Sequence, residues 1–222
     1  MTGAAGVSTP APLRFARALR KGVDRAAAGM AYLAGWNYVA CALFITADIV
    51  GRSAFGVSSA ATVEISGYML ACGISWSLAH TLAERAHIRV DVLVNRMPLR
   101  ARAFLHLLAL VLLGLFSAFL AWAGWDLLQE SLMFDAHDNS ALHIPLGIPQ
   151  GIWAFGLAAF LAMIAVLLLE AMLELFCGHY DEIVALLGSR SIDDEADEAL
   201  EAVAMANVAM ANVTVARKDA SA

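Results

Sequence analysis

Four stretches of this chain contain no Asp, Glu, Lys or Arg: Ala26–Ala47 over 22 positions, Ile65–Ala83 over 19, Ala103–Trp125 over 23 and Asn139–Leu169 over 31. A helix of about 20 mostly apolar residues crosses a bilayer, and in lipid only a helix or a closed barrel satisfies its own backbone. Four such runs predict four helical spans. The overall charged fraction, 15% against roughly 25% in a soluble domain, agrees with that reading.

The fourth run contains Pro145 and Pro149, so its helix is expected to begin near Pro149, where a first turn tolerates proline. Tyr68, Trp125 and Trp153 fall where interfacial aromatics belong. The first run follows a basic segment but is longer than a signal-peptide core and lacks a convincing cleavage site, so it is read as a retained span. Lys and Arg set the orientation. Five precede the first span, five lie between the second and third (Arg85 to Arg102) and three lie in the tail. Only Arg52 stands in the first connection, and the third has none. Thirteen basic residues against one place both termini and the second connection in the cytoplasm.

The expected fold is therefore an all-α membrane protein with four transmembrane helices, plus a short interfacial amphipathic helix and cytoplasmic N- and C-termini. It divides into a basic segment 1–25, a membrane domain 26–176 with spans at about 26–50, 64–84, 103–126 and 149–170, and an acidic, partly helical tail 177–222. The interfacial helix is read in ERAHIRVDVLVNRMP, residues 84–98. There Val90, Leu93, Val94 and Met97 recur at i, i+3, i+4 and i+7, Arg89 and Arg96 lie on another face, and Pro98 ends the run. A basic topogenic loop with no further role is the alternative.

A resemblance joins these features. HIRVDVL after a membrane helix, RSAFG at Arg52–Gly56 ahead of Glu64, and SALHIPLGIPQGIWAFG at Ser140–Gly156 are similar, in that order, to motifs of the DctQ family. This family is the small membrane subunit of tripartite ATP-independent periplasmic (TRAP) transporters, and the likeness covers roughly residues 28–176. It implies a scaffold subunit in a bacterial inner membrane. Its partners would be a large permease subunit, a periplasmic solute-binding protein and membrane lipids, with no nucleic acid. The transporter would import organic acids such as C4-dicarboxylates on a sodium gradient. No cofactor is implied.

The candidate partner contacts are Asp48, Arg52, Glu64, His87, Arg89, Asp91, Leu93, Val94 and Pro145. Each has a plainer reading. Asp48 and Arg52, spaced i, i+4, also make a snorkelling surface pair. Glu64 suits a helix N-terminus through the helix dipole alone. His87 and Asp91 also make an intrahelical pair. Ionised groups inside a span mark ion or substrate routes, and the four runs hold none.

A rival function rests on His80 and His106, both near the cytoplasmic side, which could ligate a b-type haem in the membrane anchor of a respiratory complex. A metal site from Asp135, His137, Asp138 and His143 lacks a compact ligand spacing. Cys41, Cys72 and Cys177 show no C-x-x-C spacing, and no nucleophile-and-base pattern or phosphate loop marks an enzyme. Gly29, Gly35, Gly73, Gly114 and Gly156 are expected at close helix contacts. In the tail, Ser191 ahead of Asp193, Asp194 and Glu195 reads as a helix start.

Overall fold

A computed structural model describes residues 10–56, 61–85, 94–139, 142–188, 199–200 and 203–206. The helices are α1 (Ala11–Phe55), α2 (Thr62–Ala83), α3 (Leu99–Met133), α4 (Gly147–Cys177) and α5 (Tyr180–Leu187), and a 3₁₀ turn at Val94–Arg96 precedes α3. These lie in one unit, Met1–Gly188; a second unit, Ser189–Ala222, holds short helical pieces at 199–200 and 203–206.

Proline and glycine set the helix limits. Pro12 sits in the first turn of α1, where no backbone N–H is needed. Gly56 and Gly178 end α1 and α4 with φ of 67° and 78°, a left-handed cap that costs glycine nothing. Between its limits α1 runs unbroken for 45 residues, about 68 Å at 1.5 Å per residue. That is twice a hydrocarbon core of about 30 Å. Residues 11–25 of the basic segment therefore form the first four turns of the same helix.

Three helices, α1, α3 and α4, are long and apolar enough to cross a membrane. α2 is shorter, at 22 residues, and Ser66, Gly67, Gly73, Ser75, Ser77 and His80 dilute its apolar content. α4 begins at Gly147, two residues ahead of the expected start at Pro149, and continues past the expected end near Glu170 to Cys177.

α4 is the hub of the bundle. It packs on α1, α2, α3 and α5, whereas α2 and α3, neighbours in sequence, make no helix contact with each other. α4 runs parallel to α2 and antiparallel to α1 and α3. Lipid tails are as apolar as leucine, so such helices associate through close packing and interhelical hydrogen bonds. The α2–α4 crossing uses both. Trp76 Nε1 donates to the Ile152 carbonyl at 2.9 Å, and Gly156 lies so near Ser75 that an added Cβ would stand 2.5 Å from Oγ and 2.8 Å from the Ser75 carbonyl carbon. Farther along α4, Phe160, Met163, Ile164 and Leu167 meet Leu107 and Leu110 of α3 and Ala79 and Leu82 of α2.

The expected interfacial helix is only partly described. Val94–Arg96 forms a 3₁₀ turn rather than the end of an α-helix. Pro98 limits the turn's C-terminal end, because the residue before it, Met97, is pushed out of the α region. Residues 86–93, and with them His87, Arg89, Asp91 and Leu93, lie outside the described residues.

Candidate functional site

Polar groups gather at both ends of the bundle, joined by apolar helix. The basic end holds the start of α1, the end of α4 and α5. There Arg17 donates through Nη2 to Glu174 Oε1 at 2.7 Å and lies 3.5 Å from Glu170 and 3.8 Å from Glu182. Arg20 Nε stands 2.9 Å from Glu170 Oε2. Neither atom meets hydrogen-bond geometry, so this contact is an ion pair by distance and charge, not an aligned bond. His179 Nδ1 adds a contact to Glu174 Oε2 at 2.9 Å. Glu170 and Glu174 are only 3% and 1% exposed, while both arginines reach solvent.

These acids lie past the fourth uncharged run, and their partners lie before the first. Burying a carboxylate costs several kcal/mol unless a cation and hydrogen bonds offset it, and the first turns of α1 deliver two guanidinium groups to this place. The hydrogen bond to Glu174 raises the Arg17 guanidinium above its ordinary range, with burial opposing. One turn beyond Arg20, burial raises the Asp24 carboxyl, with Arg20 opposing.

α5 closes the same end. Ile183, Val184 and Leu187 are buried in the core. Arg85 Nη1 donates to the Ala185 carbonyl at 2.8 Å, and the Arg100 guanidinium stands 5.7 Å from the Tyr180 ring centre. An acidic tail beginning at residue 177 did not anticipate a packed helix here. The available signal was Gly178, a helix stop, followed by Asp181 and Glu182 and then Ile183, Val184 and Leu187 at helical spacing.

At the opposite end the i, i+4 pair forms, with Arg52 Nη2 donating to Asp48 Oδ2 at 2.5 Å. It is not a surface pair on both sides. The Asp48 side chain is 3% exposed while that of Arg52 is 62% exposed, so the carboxylate is packed inside and the guanidinium covers it. Glu64 occupies the first turn of α2, and its Oε2 is buried without a hydrogen-bond partner among the described residues. Pro145 pairs with His137 in an isolated antiparallel bridge. This narrow loop is held by backbone bonds from Asp138 to Ile144 at 3.0 Å and from Leu146 to Ala136 at 2.9 Å. Tyr68 Oη donates to Asp138 Oδ2 at 3.0 Å, tying α2 to the loop.

Those loop residues include the candidates for a metal. Among the described residues no three His, Cys, Asp or Glu side chains converge on a metal position; Asp138 takes the tyrosine, and His137 Nδ1 contacts the Asp135 carbonyl at 2.7 Å. Of the two histidines considered for haem, His106 is buried in α3 and His80 lies in the last turn of α2.

The geometry is that of a membrane bundle whose ionised groups, among the described residues, are confined to its two ends. Residues 41–178, more than half of the chain, match the family described as "Tripartite ATP-independent periplasmic transporters, DctQ component". The chain belongs to the DctQ family. A search of curated proteins finds no match. Membership makes the chain a small TRAP transporter subunit, a transport component of a membrane complex, and lends no support to the respiratory-anchor reading. The matched region takes in α1 from Cys41 onward and all of α2, α3 and α4, and stops at Gly178; Arg17, Arg20 and α5 lie outside it.

Proposed function

We propose that this DctQ-family subunit is the scaffold of a TRAP importer for organic acids, driven by a sodium gradient, and that it neither binds nor moves the solute itself. The observation that carries the reading is the family match over residues 41–178. The four uncharged runs support it, because ionised groups within a span mark ion or substrate routes and these runs hold no Asp, Glu, Lys or Arg. In this reading α2 is the fourth span, in keeping with its place beside α4. The basic end is cytoplasmic, and the acidic loop faces the periplasm, where it helps to dock the solute-binding protein. Asp48, Arg52, Glu64 and Pro145 lie at that outer end.

Reconstitution tests this. The subunit alone, in liposomes with an inward sodium gradient and C4-dicarboxylates, takes up no solute; with the large permease and the binding protein, uptake follows. Uptake by the small subunit alone would refute the scaffold role.

A further inference from the structure

Asn37 places a strongly polar side chain deep in an uncharged run and leaves it only partly satisfied. It lies eleven residues after Ala26 and ten before Ala47, about 15 Å of helix from either end. Its Nδ2 donates to the Met69 carbonyl at 2.6 Å. Among the described residues Oδ1 receives no hydrogen bond, and the side chain is half-buried, reaching the outer surface of α1 and α2. A carboxamide facing lipid at this depth has no water to bond and is satisfied only by another helix.

The surroundings fit such a helix. Asn37 lines a cleft of about 110 Å³ with Leu33, Ala34, Gly73, Trp76 and Ile152, a space close to that of one aliphatic side chain. About two turns earlier on the same side of α1 lies Gly29, where an added Cβ would meet nothing within 4 Å. The face is therefore open to close backbone approach, and no described element of the bundle covers it. Exposed Trp36, packed edge to face on Tyr32 at 6.4 Å, lies farther round the same helix.

From this we infer that the α1–α2 face centred on Asn37 seats a transmembrane helix of the large permease subunit, which inserts one aliphatic side chain into the cleft and donates a hydrogen bond to Asn37 Oδ1. The inference rests on the reading of this chain as the small TRAP subunit. A lipid chain fills apolar space but offers no donor at that depth, so the carboxamide selects a protein helix.

The test uses the full chain co-expressed with the large permease. A photo-crosslinking amino acid replaces Leu33 beside the cleft or, as a control, Leu115 on the exposed face of α3. The expected result is a crosslink to the permease from position 33 and none from position 115. Asn37→Leu, of similar size but without the amide, should lower permease recovery about threefold or more, with the thermal midpoint of the isolated subunit as a check on folding. A crosslink from position 115 alone, a crosslink from position 33 to lipid or to a second copy, or full recovery with a folded Asn37→Leu would overturn this surface and leave the family role standing. Failure of the unmodified chain to co-purify with the permease would overturn both.

Discussion

Gly156 gives the most direct test of how the bundle is held. An alanine Cβ there would stand 2.8 Å from the Ser75 carbonyl carbon and 2.5 Å from Ser75 Oγ. The hydroxyl can rotate away. The backbone carbon cannot, so α2 and α4 must separate by roughly 0.6 Å to reach ordinary contact, on the order of 3.4 Å or more. That shift stretches the Trp76–Ile152 bond from 2.9 Å towards its limit. Overpacking of this kind costs about 1–3 kcal/mol, and a weakened interhelical hydrogen bond adds about 0.6. Against this, alanine gains up to about 1 kcal/mol of helix propensity over glycine. Gly156→Ala should therefore destabilise by about 1–3 kcal/mol, whereas Gly29→Ala, with nothing within 4 Å, should be neutral or slightly stabilising. Ser75→Gly in the Gly156→Ala background should restore only part of the loss, because the backbone clash remains. The assay is equilibrium unfolding of the purified subunit in mixed micelles. Equal stability of the Gly156 and Gly29 variants, or complete rescue by Ser75→Gly, would refute the backbone-contact argument.

Arg17→Ala removes a cation from two buried carboxylates; because Arg17 is about a third exposed and Arg20 and His179 remain, the expected loss is about 1–3 kcal/mol, and Glu174→Gln in the same background should recover part of it in the same unfolding assay. Cysteines placed singly at Ala136, Arg100 and Ser191 in a cysteine-free chain should label from outside intact cells only at position 136; outside labelling at position 100 would reverse the topology. Leu93→Asp with Val94→Asp charges the apolar stripe of the second connection at a cost of about 2–3 kcal/mol per residue if the stripe is deeply inserted. Complex recovery and uptake should then fall together while the half-saturation concentration of assembled complexes stays unchanged; normal assembly with altered half-saturation would instead place this segment on the transport route.

What could be read from the chain alone follows from how local each signal is. Freedom from charge over 20 or more residues is a property of one segment, so α1, α3 and α4 stood out. The Asp48–Arg52 pair was legible because four residues in a helix fix the geometry. The meeting of Arg17 and Arg20 with Glu170 and Glu174 was not, since it joins positions more than 140 apart in sequence and depends on α1 and α4 both continuing past their uncharged runs. α5 was hidden for a different reason: eight residues give barely two turns, too short for periodicity to stand out from the acidic residues around it. The burial of Asp48 depends on the neighbours that cover it, and spacing along one helix carries no information about them.

The central place of α4 has a consequence for biogenesis. It is the last of the long helices to be synthesised, yet it fills the space between α2 and α3. When the first three helices have left the ribosome, the indole N–H of Trp76 has no carbonyl to meet and the Gly114 face of α3 has no Ile164 against it. Nascent chains halted before residue 147 should therefore leave α2 and α3 without their shared partner and more open to quality-control proteases. Resistance should arrive in one step, when the final helix enters and joins both halves.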